Sequence, residues 1–185
     1  EKFNKRFFFT QDKEDLFQAS GPESLFINSL ALNNKNVFIS ASKWLSTFPE
    51  NKKSIYFDLG VDSLMSKNIL NFSNANKDGR YKIAFYSRFS SPRRAVDLGW
   101  GYFNKLKELG VDFEIHAFGQ DIGNTKFDFP VVNHGVLSPY SMYLLISSAD
   151  LSVALSTTNY SLLPLEAASL GVISCDVDTD SNRMN

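Results

Sequence analysis

The chain has 185 residues, 43% of them hydrophobic and 21% charged, enough to bury one good core and part of a second. Its 19 Lys and Arg against 20 Asp and Glu leave a formal charge of −1, so there is no overall positive field to hold nucleic acid and any phosphate binding must be local. A single cysteine excludes an intrachain disulfide, no apolar run approaches the ~20 residues of a membrane-spanning helix, and no signal-peptide pattern opens the sequence.

In chain order, residues 5–10 read as a strand that is already under way at Phe7-Phe8-Phe9. With the equally abrupt SNRMN ending, this suggests a piece of a longer protein. Residues 11–15 form a polar turn, 24–32 have helical spacing, and Val37–Ser40 is a short apolar strand leading into a helix over 42–48, which Pro49 ends. Extended structure resumes over 54–63, whereas 67–80 is rich in Asn, Lys and Gly and reads as an exposed connection. The expected division is therefore 1–65 as the end of one domain, 66–80 as linker and 81–185 as a second domain.

The pattern sharpens from Tyr81. Residues 82–86 suit a central strand, 87–91 a loop, and Pro92 the first turn of a helix whose apolar stripe is Ala95, Leu98, Tyr102, Leu106 and Leu109, stopped by Gly110. A second strand runs over 113–118, a short strand and turn over 131–137, and Ser138 with Pro139 opens a helix that turns Met142, Leu145, Ile146 and Ala149 inward. Leu151, Val153 and Leu155 form the next strand. A polar turn at 156–159 then feeds a short helix around Glu166, which Gly171 ends, and 172–175 reads as a further buried strand. Cys175 is expected there as an inert core thiol, compatible with a reducing compartment. Strands separated by helices imply parallel pairing with right-handed crossovers. The fold class is α/β: a Rossmann-like doubly wound parallel sheet, with part of a second Rossmann-like domain at the N-terminus.

In such sheets ligands sit at the carboxyl ends of strands, beside helix N-termini that suit phosphate. Arg88, Arg93 and Arg94 fall at one such place, where a helix dipole disfavours cations and a negative ligand is expected. Guanidinium forks match a diphosphate; solvated helix-end arginines are the plain alternative. Glu166, in an otherwise apolar helix start, needs hydrogen-bond donors if buried, and a sugar diol would supply them; otherwise it is a solvated residue favouring the dipole. Asp176, Asp178 and Asp180 in DVDTD invite a metal reading, but acidic loop ends are usually solvated, and no metal is expected. His116 reads as structural within its strand, and His134 as a residue that could line the site.

The segment Arg88-Phe89-Ser90-Ser91-Pro92-Arg93 resembles the G-R-L-x-x-x-K loop of retaining-type glycosyltransferases of the GT-B fold, with Arg93 at the lysine position. Thr158 to Glu166, TNYSLLPLE, looks like their E-x-x-x-x-x-x-x-E donor motif, with Thr158 at the first glutamate position. Together with the upstream FFTQDKEDLF, the wording is similar to rhamnosyltransferases that build bacterial surface polysaccharide from dTDP-L-rhamnose.

That resemblance implies that Arg88 and Arg93 neutralise a donor diphosphate, with Arg94 in support. It implies that N–H groups near Ser161 and Leu162 cap the phosphates within the stretch Thr158, Asn159, Tyr160, Ser161 and Leu162. Glu166 would then bind the ribose, and Gly135, Val136 and Leu137 would pack on the base. Gln11, Asp12 and Glu14 would lie on the hinge side of a cleft, or else form only a polar turn. The implied partners are a nucleotide-diphospho-sugar donor and a saccharide acceptor, with no cofactor, metal or nucleic acid. Location is expected to be cytoplasmic, with any peripheral membrane association left to parts outside this chain. The rival expectation is a noncatalytic Rossmann-like interaction or scaffold domain whose arginines meet a partner's carboxylates.

Overall fold

Strands and helices alternate along the computed structural model, which describes residues 6–13, 16, 21–33, 36–49, 53–70 and 79–184. The readings of Glu14 and of 71–78, most of the expected linker, lie outside the described residues. The elements are β1 (Phe7–Thr10), α1 (Pro22–Asn33), β2 (Val37–Ser40), β3 (Ser54–Tyr56), α2 (Ser63–Leu70), β4 (Tyr81–Tyr86), α3 (Val96–Glu108), β5 (Phe113–Phe118), β6 (Val131–Asn133), α4 (Pro139–Ser147), β7 (Leu151–Val153), α5 (Leu163–Ser169), β8 (Ile173–Cys175) and α6 (Asp180–Met184). Among the described residues every strand pairing is parallel, in one sheet ordered β1-β2-β3 and another ordered β6-β5-β4-β7-β8. The protein is thus α/β with Rossmann-like doubly wound sheets, as the alternation of periods predicts.

Two compact units result. One comprises Glu1–Leu59, Thr157–Tyr160 and Val177–Asn185; the other comprises Gly60–Ser156 and Ser161–Asp176. Helix α2 takes up the start of the stretch read as a linker, and it buries Ile69 in the core of the second unit.

In the second unit, one sheet face is covered by α4 and α5, with Phe118, Tyr143, Ile146 and Ala167 in the core. The other packs against α3 through rings: Phe85 lies 5.0 Å from both Trp100 and Phe103, and Trp100 stacks on Phe127 at 4.2 Å. Helix α3 forms where its spacing predicts, but on a different face. Val96, Gly99, Trp100 and Phe103 are buried, whereas Leu98, Tyr102 and Leu109 of the expected stripe are exposed. Two apolar stripes overlap on this helix, and the one that meets the aromatic cluster wins. Each ring buries about 150–250 Å², and ring pairs add about 0.5–1.5 kcal/mol. Gly99 allows the approach, since a Cβ there would stand 2.5 Å from the Phe85 ring.

Helix α5 ends as expected at Gly171, whose φ of +74° suits a residue without Cβ. The strand that follows is not buried. β8 is the edge of its sheet, and Ile173 and Cys175 face outward, so Cys175 is an exposed thiol rather than a core one.

In the first unit, Phe38 on the central strand β2 and Leu45 are fully buried. The helix expected over 42–48 shrinks to a single tight turn, Leu45–Thr47. Here the Ser46 and Thr47 hydroxyls donate back to the carbonyls of Lys43 and Trp44, both at 2.6 Å, the competition by which short polar side chains shorten helices. Helix α6 was not legible as such. It is opened by the Thr179 hydroxyl, which accepts from the Asn182 N–H at 3.2 Å. No helix among the described residues is long and apolar enough to cross a membrane.

Candidate anion-binding site

Within the second sheet the chain leaves β4, adds β5 and β6 on one side, then crosses back to place β7 and β8 on the other. The strand order reverses between β4 and β7, which pair from Ile83↔Leu151 to Phe85↔Val153. The loops that follow these two strands therefore leave the same edge side by side, at the position where open α/β sheets bind ligands. Both are loops that the sequence marks out.

The first is built tightly. Ser87 is buried and its N–H donates to the Phe118 carbonyl at 2.7 Å. The Ser90 N–H donates to Gln120 Oε1 at 2.9 Å. A short turn, Pro92–Arg94, then delivers the chain through Ala95 into α3. Ala95 has φ 43° and ψ 42°, and no side chain caps the helix. A left-handed non-glycine costs about 1–2 kcal/mol, and such strain collects at binding sites.

The three arginines take different environments. Arg88 is exposed, Arg93 is half-buried, and Arg94 is only 8% accessible. The Arg94 guanidinium lies 5.1 Å over the Tyr86 ring, and its Nε and Nη1 have no hydrogen-bond partner. Burial lowers its pKa, and Arg93 and Arg88 add to this, while Tyr86 and Asp176 oppose. Asp176 is itself engaged, accepting the Ser156 N–H at 2.6 Å. A buried cation with unmet donors costs several kcal/mol unless an anion reaches it. Tyr86 in turn needs Gly119, where a Cβ would fall 2.3 Å from the ring and φ is +99°.

In the chain that follows β7, Glu166 sits in the first turn of α5 and is half-buried. Burial raises its pKa, opposed by the Tyr143 hydroxyl, which donates to it across a long 3.4 Å. A carboxylate so poorly supplied with donors is suited to receive them from a ligand. The N–H groups of Leu165 and Glu166 both go to the Leu162 carbonyl at 3.0 Å. Those of Ser161 and Leu162 have no acceptor among the described residues. Gly135, Val136 and Leu137 follow β6 at the same edge: Gly135 accepts the Gly119 N–H at 2.8 Å, Leu137 packs on the core, and Val136 is 81% exposed.

Thr158, Asn159 and Tyr160 belong to the first unit instead. Asp12 is buried, and its carboxylate accepts the Asn159 N–H at 3.1 Å and the Thr158 hydroxyl at 3.3 Å. The Asn159 amide donates to the Gln11 carbonyl at 3.0 Å and accepts from the Ser42 hydroxyl at 2.9 Å. The Tyr160 N–H donates to Ser181 Oγ, and its hydroxyl accepts the Leu59 N–H, both at 2.9 Å. These side chains hold the segment in place, and Asp12 is the residue that organises it. Asp178 pairs with Arg183 in the same unit. His116 and His134, which the sequence treats separately, bond to each other at 2.8 Å. Sequence reasoning missed Tyr143 as the neighbour of Glu166, because the contact joins two helices across 23 residues.

No family model matches the chain, and no curated protein matches it in sequence. After β4 the site offers clustered guanidiniums, one of them buried with unmet donors, and after β7 a half-buried carboxylate short of donors.

Proposed function

We propose that this chain carries the donor-binding half of a glycosyltransferase, which moves a hexosyl group from a nucleotide-diphospho-sugar to a growing surface polysaccharide. The reading is supported above all by the buried Arg94 guanidinium with unmet donors at the strand-order reversal. A diphosphate there would satisfy it, with Arg88 and Arg93 as further cations and the Ser161 and Leu162 N–H groups as further donors. Glu166 would accept from ribose hydroxyls. As the bond from the anomeric carbon to the diphosphate breaks, charge develops on the leaving oxygen, and fixed guanidiniums stabilise it without a divalent metal. The sequence resemblance extends the proposal to dTDP-L-rhamnose as donor and to the cytoplasmic side of the membrane as the place of work.

Calorimetric titration with dTDP, UDP and GDP tests it. At least one diphosphate binds in the micromolar range, EDTA leaves that binding unchanged, and Arg94→Met and Glu166→Ala each weaken it about tenfold or more, which is ~1.4 kcal/mol. Absence of binding by all three overturns the proposal and leaves an interaction domain whose arginines meet a partner's carboxylates.

A further inference from the structure

We propose that Glu114, His116 and His134 form an acid-sensitive latch on the loop after β6, independent of what the sheet edge binds. Glu114 and His116 lie two apart on β5, on one face, and His134 directly follows β6, which pairs with β5 through Ala117↔Asn133. Glu114 Oε1 is 2.7 Å from His116 Nε2, and His116 Nδ1 is 2.8 Å from His134 Nε2. The rings stack with centroids 5.1 Å apart.

Valence fixes the protons in this chain. A carboxylate only accepts, so His116 Nε2 carries hydrogen; a neutral imidazole has one N–H, so His116 Nδ1 accepts and His134 Nε2 donates. The chain therefore ends on a lone pair at His134 Nδ1, with no partner among the described residues. Acid enters there. One proton leaves every link intact, because His134 Nε2 still donates. A second must go onto His116 Nδ1, and two N–H groups then oppose each other across 2.8 Å, which breaks the link.

The charged groups facing the pair are Glu114 on β5 and Lys82 on β4, whose ammonium is held by the Ser148 hydroxyl at 2.8 Å. Asp150, ahead of β7, accepts the Lys82 N–H at 2.7 Å. β6 and α4 carry no charged side chain. Burial lowers the pKa of both histidines; Glu114 opposes this at His116, His116 adds to it at His134, and Lys82 adds to it at both. The pair is thus neutral and latched near pH 7. The latch fastens a seam in which the His134 N–H donates to Ala117 and the Gly119 N–H to Gly135, both at 2.8 Å.

Nitrogen chemical shifts of the two rings, read with amide exchange at Gly119 between about pH 7.5 and about pH 5, test the latch. At the upper pH both rings carry hydrogen on Nε2. On acidification His134 titrates first and His116 second, and Gly119 protection, corrected for intrinsic exchange, falls about tenfold or more with the second step. In His134→Gln the amide can flip and accept from a protonated His116, so Gly119 stays protected in acid. The proposal is overturned by independent titration of the two rings, by protection that survives both titrations, or by a Gln variant that loses protection as the native chain does.

Discussion

Arg94 is held in the fold against its own interest. A guanidinium stripped of water and left with unmet donors costs stability, and under the proposed function a diphosphate would meet those donors. Arg94→Met, which keeps most of the volume and removes the charge, should raise unfolding stability by about 1–3 kcal/mol while weakening diphosphate binding about tenfold or more; equal or lower stability in chemical denaturation would count against the site. Glu166 gives a second test. Its pKa is raised from an ordinary 4.5 by burial, and hydroxyl donors from a ligand favour the charged form and lower it again. Binding should release protons and weaken as pH falls through the free-state pKa, as read by calorimetry in buffers of different ionisation heat, and Glu166→Gln should remove that dependence. Asp12 is different in kind: its carboxylate fixes Thr158 and Asn159 within the first unit, so its loss is expected as instability of that unit.

Helix α3 and the turn before it carry the clearest lessons among the elements. The spacing of apolar residues locates the helix, but it offers two stripes, and only the aromatic cluster chooses between them. Phe103→Ala should therefore cost about 3–5 kcal/mol, and Leu98→Ala, on the stripe that faces outward, no more than ~0.5 kcal/mol in the same denaturant series. The left-handed Ala95 that feeds this helix predicts a gain from glycine. Ala95→Gly should stabilise by about 0.5–1 kcal/mol, and Ala95→Val should destabilise by more than ~1 kcal/mol, because a β-branched residue tolerates that conformation least. At the other end of the sheet, the same limit on sequence reading explains Cys175. An apolar run announces a strand, but not whether that strand has a neighbour on both sides, and β8 has one.

Across the whole molecule, charge and acidity act in ways that composition alone only partly anticipates. A net charge of −1 predicts no shift of duplex DNA in electrophoresis near physiological salt, even though three arginines cluster at one edge, because binding to the backbone scales with many phosphate contacts. The lowered histidines give stability a pH window. The unfolded chain takes up protons at 6.5 and the folded one only below that, so their contribution is complete above about pH 6.5 and is lost as pH falls towards the folded values. Much of the architecture was open to the sequence: alternating periods, a proline at a helix start and a glycine at a helix end are local properties of the backbone, and they determined the α/β class and named the two loops that follow β4 and β7. Tertiary structure alone decided that Arg94 is the buried arginine, that Trp100 and Phe103 rather than Leu98 and Leu109 meet the core, that Thr158 and Asn159 are engaged with Asp12, and that the two histidines touch. Those outcomes depend on strand order and on which surfaces compete for burial, and residues distant along the chain set both.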